Sequence, residues 1–232
     1  MTPSSHARQS VDERRPGCPR SDEHGYVKSK AVLTPRTTKV GRMTYERSHE
    51  LIGRDESRLL IVDVQEKLMP AIPVRESLIA NCRKLIEAAK LFGVPVSATE
   101  QYAKGLGPTV PQLRELLGGV PIPDKVCFSA AECLGWGTAA EHPDGRFQIV
   151  VAGIEAHVCV LQTVLDLLSS GYQVFVPADA LASRAKLDWK IALRRLAASG
   201  AIITTTESVM FEWCAAADSP EFKQVSRLIK GD

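Results

Sequence analysis

Three side chains with reactive chemistry follow short apolar runs in this sequence. Asp63 closes the run LLIVD, Lys125 closes PIPDK, and Cys159 comes shortly after QIVVAG. The carboxyl ends of parallel strands meet at one edge of a sheet, and ligands bind outside that edge. We therefore expect these three residues, which are far apart in sequence, to converge in space.

A carboxylate, an ammonium group and a thiol could together carry out acyl transfer. On the first turn of a helix, and beside Lys125, Cys159 would have a pKa lowered to roughly 3.5–7.5, which favours the nucleophilic thiolate. Asp63 could take the thiol proton and return it to a leaving group. Backbone N–H groups after Gly153 could form an oxyanion hole. Taken singly, each residue also has a simpler interpretation, as a helix cap, a solvated lysine or a packed cysteine.

The elements that would position these residues follow an alternating pattern. Short apolar runs and helical segments alternate from Leu59 onwards, which predicts one α/β domain with a mostly parallel sheet covered on both faces. Helical spacing predicts one helix that ends before Gly93, a second over residues 158–170 and a third over 186–199. Ser129 and Glu132 fit a capping box that opens a short helix. Six strands are predicted, over residues 59–63, 94–99, 122–126, 148–152, 173–177 and 201–205.

The first part of the chain has a different composition. Residues 1–48 are predicted to be a disordered basic leader, and residues 49–232 the folded domain, because the leader has almost no apolar periodicity. Residues 1–50 carry a net charge of +4 and the remainder −2, so the folded part does not indicate a nucleic-acid partner. A start of translation at Met43 and a genuine disordered tail are both compatible with this composition.

The sequence gives no sign of a membrane or of oxidised cysteines. No window reaches the roughly 18 apolar residues of a spanning helix, and the N-terminus lacks the apolar region of a secretory signal. We therefore expect a cytoplasmic protein with no membrane partner. The six cysteines show no CxxC spacing and no pairing with histidine at metal-ligand spacing, which predicts free thiols.

Four motifs resemble the isochorismatase-like cysteine hydrolases over residues 50–215, and they are most similar to the isochorismatase domain-containing subgroup. The motifs are LLIVDVQEKLMP, VSATEQYAKGLGPTVPQL, DKVCFSA and VAGIEAHVCVLQTVLDLLSSGYQVFVPADALASR. The resemblance implies a three-layer α/β/α sandwich and a catalytic triad of Asp63, Lys125 and Cys159. It also implies a cis peptide bond between Ile154 and Glu155, which would turn backbone N–H groups toward the substrate oxygen.

The resemblance also bears on the substrate and on cofactors. Gln101, in TEQY, corresponds to a pocket-lining position, and Phe128 and Trp136 are candidates for an apolar wall. Nicotinamidases carry a histidine-containing metal site after the second strand, whereas this chain has ATEQYAKG there, with no histidine between His49 and His142. We therefore expect no metal and no cofactor. Because the cysteine is present, the resemblance favours hydrolysis of a small amide or related acyl substrate over enol-ether cleavage.

Other polar residues in or near these motifs are expected to support the fold and not to take part in catalysis. His157 is expected to be a surface or capping residue, since two residues of separation place it on a different helix face from Cys159. Asp179 and Arg184 are expected to form an ion pair that braces the site. Cys127 and Cys133 flank the end of the third strand, where they could line the pocket or be buried.

Two further predictions concern function and assembly. A catalytically silent member that binds a ligand or a partner protein remains an alternative, because a retained triad does not identify a substrate. A homo-oligomer is expected from the family resemblance. It is also expected from the apolar segment VMFEWCAAA near the C-terminus, which one domain would not fully cover.

Overall fold

A computed structural model describes residues 37–40 and 43–231. The chain divides into two units, Met1–Glu46 and Arg47–Asp232. In the described part of the first unit, strands β1 (Thr37–Val40) and β2 (Met43–Glu46) pair antiparallel. The sequence predicted no strand there. Residues 1–36 and 41–42 of the predicted disordered leader lie outside the described residues.

The second unit is built around a parallel sheet. Its strands lie in the order β5-β4-β3-β6-β7-β9, and β8 pairs with the end of β6. Every pairing in the sheet is parallel. The strands are β3 (Ser57–Val62), β4 (Val96–Gln101), β5 (Asp124–Lys125), β6 (Gln148–Ile154), β7 (Gln173–Pro177), β8 (Leu181–Ala182) and β9 (Ile202–Thr204).

Helices cover both faces of this sheet. Along β3, Leu59 and Ile61 face one core, on one side of the sheet, whereas Leu60 and Val62 face a second core on the other side. This alternation is the period of a strand that is buried on both faces. The helices are α1 (Arg75–Phe92), α2 (Ala103–Leu106), α3 (Pro111–Leu117), α4 (Ala131–Leu134), α5 (Leu161–Ser169), α6 (Lys186–Ala198), α7 (Thr206–Cys214) and α8 (Phe222–Lys230).

The predicted three-layer α/β/α sandwich is confirmed, with shifts at the element ends. All six predicted strands are present, and the seventh, β8, is a two-residue strand that was too short to give a pattern. Helix α1 ends where it was predicted to end, since Gly93 adopts the left-handed conformation with φ 68°. The short helix α4 begins at Ala131 without the predicted capping box, because the Ser129 hydroxyl accepts a hydrogen bond from the Ala131 N–H instead.

The C-terminal apolar segment is partly covered by its own chain. Val209, Met210, Trp213 and Cys214 are buried in the core on the α1 side of the sheet. Phe211 is 39% exposed and Ala215, Ala216 and Ala217 are exposed, so the segment is only partly covered, as the sequence predicted. Among the described helices, none has both the length and the apolar character needed to cross a membrane.

Candidate active site

Asp63 lies directly after β3, at the carboxyl end of the sheet. It is fully buried and has a positive φ of 53°, which is uncommon for a residue other than glycine. Thr99 on β4 donates a hydrogen bond to Asp63 Oδ1 at 2.8 Å, and Lys125 donates to Oδ2 at 2.7 Å. Both carboxylate oxygens are therefore held by neighbouring strands.

Lys125 ends β5, which pairs with β4 so that Gln101 and Lys125 are in register. The side chain is buried, and its ammonium group donates to Asp63 Oδ2 and Gln101 Oε1, each at 2.7 Å. The carbonyl oxygens of Phe128, at 3.0 Å, and Cys127, at 3.4 Å, are further acceptors. Because an ammonium group has three hydrogens, these acceptors fully occupy it.

Gln65 is a site residue that the sequence reasoning missed. It is buried, and its Oε1 accepts from the Gln101 N–H at 2.8 Å while its Nε2 donates to the carbonyl oxygens of Gln101 and Gly107. The Gln101 side chain is held in turn, since its Nε2 donates to the Val126 carbonyl oxygen at 2.8 Å. Gln65 stands directly before the charged residues Glu66 and Lys67, so no pattern in the sequence distinguishes it as a buried residue.

Cys159 lies in a π-helical turn, Ala156–Val160, which follows β6 and leads into α5. Its Sγ is 4.0 Å from Gln101 Oε1, the oxygen that also accepts from Lys125. Thr163 fixes the turn, because its hydroxyl donates to the Cys159 carbonyl oxygen at 2.7 Å and accepts from the Ala130 N–H at 2.9 Å. Lys125 and Cys159 therefore both face one amide oxygen, and Lys125 also contacts Asp63.

The pKa of Cys159 moves in the direction opposite to the expected one. Burial, and next the negative charge of Asp63, raise the pKa of this thiol to about 12, although the positive charge of Lys125 acts to lower it. The expectation of a lowered pKa counted the lysine and the helix terminus but not burial. At neutral pH the thiol therefore keeps its proton.

Gly153 allows β6 to approach β3 closely beside the site. It pairs with Val62 and has φ 122°, and a Cβ atom at this position would lie 2.1 Å from the Val62 carbonyl oxygen. No side chain larger than hydrogen fits there without moving the backbone. The peptide bond between Ile154 and Glu155, directly after this glycine, is cis. Ile154 is fully buried within the sheet.

The expected ion pair between Asp179 and Arg184 is not formed. Arg184 instead donates to Glu155 through its backbone N–H at 2.9 Å and its Nε at 3.1 Å. Asp179 accepts from the N–H and hydroxyl of Thr206 and so caps the start of α7. Sequence proximity suggested the pair, but β8 lies between the two residues and directs them to different neighbours.

His157 and the residues around it have mainly structural contacts. The ring Nδ1 of His157 is 3.0 Å from the Ser183 hydroxyl, and its Nε2 is 3.8 Å from Asp188. Glu155 contacts Arg184 in addition, so two side-chain contacts join the start of the π-helical turn to the residues after β8. His157 therefore supports the turn and lies on a different side from the reactive groups of the site.

The predicted apolar wall is only partly at the site. Phe128 is 52% exposed and its carbonyl oxygen accepts from Lys125, so it lies at the rim. Trp136 is elsewhere, since its ring stacks on the guanidinium of Arg58 at 5.4 Å and contacts Tyr172. Arg58 is near the start of β3, and five residues along a strand place it about 16 Å from Asp63. The structure therefore does not bring Trp136 to the predicted pocket.

The two other cysteines near the site differ in exposure. Cys127 is exposed, whereas Cys133 is half-buried and its Sγ is 3.2 Å from the Ala130 carbonyl oxygen. Burial raises the pKa of Cys133, and the charges of Lys125 and Asp63 act on it in opposite directions. Within the described residues, no three His, Cys, Asp or Glu side chains form a group that could hold a metal ion.

A parallel three-layer α/β/α sandwich of this kind is the fold of the isochorismatase-like α/β hydrolases. The isochorismatase domain model matches residues 57–208, and the chain belongs to this family. Membership supports a hydrolase activity. The relatives described below place the chain near the isochorismatase domain-containing subgroup.

Relatives and solved structures cover most of this chain. Isochorismatase domain-containing protein 2A of Mus musculus is 38% identical over 179 residues, covering 76% of this chain and 84% of the relative. Isochorismatase domain-containing protein 1 of Danio rerio is 40% identical, covering 72% of this chain and 59% of the relative. A solved structure of the MAR1 ribonuclease from Caenorhabditis elegans is similar with a TM-score of 0.72 and 40% identity, covering 78% of this chain and 92% of that one.

Proposed function

We propose that this protein is a cysteine hydrolase that acts on a small amide or related acyl substrate through Asp63, Lys125 and Cys159. The observation that carries the proposal is the buried pair of Lys125 and Asp63, 2.7 Å apart, beside the Cys159 thiol at the carboxyl end of the sheet. A buried carboxylate next to a buried thiol is a general base next to a nucleophile.

The first step of the proposed reaction forms a thioester. Cys159 Sγ attacks the substrate carbonyl carbon as Asp63 takes the thiol proton, because a thiol with a pKa of about 12 carries its proton into the reaction. Lys125 holds the Asp63 carboxylate and stabilises its negative charge. Backbone N–H groups of the turn that carries Cys159 stabilise the oxyanion. Asp63 then gives its proton to the leaving amine, and the C–N bond breaks.

The second step releases the acid and restores the thiol. A water molecule attacks the thioester carbon as Asp63 takes one of its protons. The C–S bond then breaks, and that proton returns to the sulfur. Lys125 keeps its charge throughout, since its hydrogens are occupied by fixed acceptors. Its role in this proposal is to orient Asp63 and to balance its charge.

Mass spectrometry of the intact protein tests the proposal. A panel of small primary amides is mixed with the protein and quenched in acid, and we expect an acyl adduct on Cys159. Cys159→Ala should abolish the adduct, whereas Cys127→Ala, at an exposed thiol near the site, should retain it. Saturable binding of a panel member without any adduct or turnover would instead favour the silent binding module.

The panel also includes an RNA oligonucleotide, because the Caenorhabditis elegans relative is called a ribonuclease. We expect no cleavage of RNA, as the part of the chain after residue 50 carries a net charge of −2 and offers little attraction to phosphates. RNA cleavage that is lost in Cys159→Ala would contradict the amide proposal.

We also propose that the protein forms at least a dimer. This rests on the family resemblance and on the part of the C-terminal segment that stays exposed, where Phe211 is 39% exposed. Light scattering at micromolar concentration measures the mass. A value equal to that of one chain, 25.3 kDa, would contradict the proposal.

A further inference from the structure

No buried cation in the described part of the chain is available at the site to pair with a negatively charged substrate. Among the described residues, the buried charged side chains are Asp63, Glu100 and Lys125. Glu100 accepts hydrogen bonds from the N–H and hydroxyl of Thr109 and forms an ion pair with Arg114 at 3.3 Å. Lys125 is thus the one buried cation in this part of the chain, and it faces Asp63.

Lys125 has no hydrogen left for a substrate. Its three hydrogens are shared among Asp63, Gln101 and the Phe128 carbonyl oxygen, all within 3.0 Å, and the Cys127 carbonyl oxygen lies at 3.4 Å. Arg184, whose side chain is 64% exposed, is paired with Glu155. A substrate carboxylate beside Cys159 would therefore add a second negative charge next to Asp63 without a partner, which is costly in a buried site.

Two exposed apolar residues, Val126 and Phe128, lie at the edge of the site. Val126 is 77% exposed and Phe128 is 52% exposed, although both are large apolar side chains. Their carbonyl oxygens accept from Gln101 Nε2 and from Lys125, so both residues are held at the edge of the site. An apolar acyl group would cover these side chains and remove their surface from water.

We propose that the site selects acyl groups without negative charge, so that its substrates are amides of uncharged, apolar acids rather than of dicarboxylic or amino-dicarboxylic acids. This inference rests on the proposed hydrolase function and names the substrate class of the same site. A negatively charged acyl group is disfavoured because Asp63 repels it. Lys125 cannot pair with it, since its hydrogens already bind Asp63, Gln101 and the Phe128 carbonyl oxygen.

A matched pair of amides tests the selection. Succinamate carries a carboxylate, and levulinamide carries a methyl ketone at the same position, so the two differ in charge but little in size. We expect levulinamide to acylate Cys159 faster by about tenfold or more, because a like charge at a desolvated site is strongly unfavourable. Equal rates, or faster acylation by succinamate, would overturn the inference while leaving the hydrolase function intact.

A second pair tests the same charge selection without any hydrolysis. Iodoacetamide and iodoacetate alkylate thiols and differ mainly in charge, and exposed Cys127 in the same molecule is the reference. The preference for iodoacetamide should be larger at Cys159 than at Cys127, and Asp63→Asn should reduce it. Equal preferences at the two thiols would overturn the inference. A preference at Cys159 with no acylation by any amide would leave the charge selection standing and the proposed hydrolase function wrong.

Discussion

Gln65 and Gln101 hold each other through a reciprocal pair of hydrogen bonds. The Gln101 N–H donates to Gln65 Oε1 at 2.8 Å, and Gln65 Nε2 donates to the Gln101 carbonyl oxygen at 3.0 Å. The Gln65 side-chain amide thus forms the same two hydrogen bonds with the Gln101 backbone that the backbone of a neighbouring strand would form. The Gln101 side chain is left free to accept from Lys125, so the orientation of Lys125 depends on Gln65 through one intermediate residue.

Replacing Gln65 should therefore impair turnover as well as stability. Gln65→Ala leaves the Gln101 N–H and two carbonyl oxygens without this partner, which should lower the free energy of unfolding by about 1–3 kcal/mol. A displaced Lys125 should lower kcat by about 100-fold, because small errors in the position of catalytic groups are costly. Urea unfolding and steady-state kinetics measure the two effects. Gln224→Ala, at an exposed glutamine, is the matched control, and a kcat equal to wild type in Gln65→Ala would refute the positioning role.

Two glycine substitutions should have very different outcomes. Gly153→Ala places a methyl group 2.1 Å from the Val62 carbonyl oxygen at φ 122°, and should destabilise the fold by about 3 kcal/mol or more. Gly119→Ala meets no atom within 4 Å, so its melting temperature should stay close to that of wild type. Thermal unfolding of both variants is the measurement. A Gly153→Ala variant as stable as Gly119→Ala would show that β6 can move away from β3.

Cys82 should make stability depend on pH in the alkaline range. Burial raises the pKa of this thiol to about 12 in the folded state, and Asp179 acts in the same direction. In the unfolded chain the pKa is about 8.5, so above that pH the unfolded state loses a proton that the folded state keeps. The contribution is complete below about pH 8.5 and falls by about 1.4 kcal/mol per pH unit above it.

Urea unfolding at about pH 8 and pH 10 measures this dependence, with Cys82→Ala as the comparison. The wild-type free energy of unfolding should fall more steeply than that of the variant, because alanine does not titrate. Parallel slopes for the two proteins would mean that Cys82 loses its proton as readily in the folded state as in the unfolded one.

The fold and the strand-end residues could be predicted because they depend on local patterns. Apolar runs of strand length marked β3, β4, β6 and β7, and the parallel sheet then brought Asp63 and Lys125, which are 62 residues apart, into contact. Strand β8 and the hydrogen bonds between Gln65 and Gln101 could not be predicted in this way. A two-residue strand has no period, and nothing in the sequence indicates that Gln65 faces the backbone of another strand.

Three expectations from the sequence were wrong because tertiary packing decides them. Trp136 follows the third strand in sequence, yet it returns to the opposite end of β3 to cover Arg58. Arg184 pairs with Glu155, which is far away in sequence, rather than with Asp179 nearby. The pKa of Cys159 depends on how completely the folded chain covers the thiol, which spacing along the sequence does not report.

Cys159 should react slowly with alkylating agents at neutral pH. Since its pKa is raised to about 12, little thiolate is present at neutral pH, and exposed Cys127 should be alkylated by iodoacetamide first. The rate at Cys159 should keep rising with pH above about 8.5, where an ordinary thiol approaches its plateau. Peptide mapping after timed alkylation measures both thiols in the same sample.

Two variants should shift this reactivity in opposite directions while both impair turnover. Asp63→Asn removes a negative charge that raises the pKa of Cys159, so at a fixed pH the variant should be alkylated faster than wild type. Lys125→Met removes a positive charge that lowers this pKa, so the thiol should react more slowly. Each variant breaks a buried ion pair, at a cost of about 3–5 kcal/mol, so circular dichroism must first show that it is folded. Faster alkylation in Lys125→Met than in Asp63→Asn would mean that these charges do not act on the thiol as the structure indicates, and the proposed acyl transfer would lose its electrostatic basis.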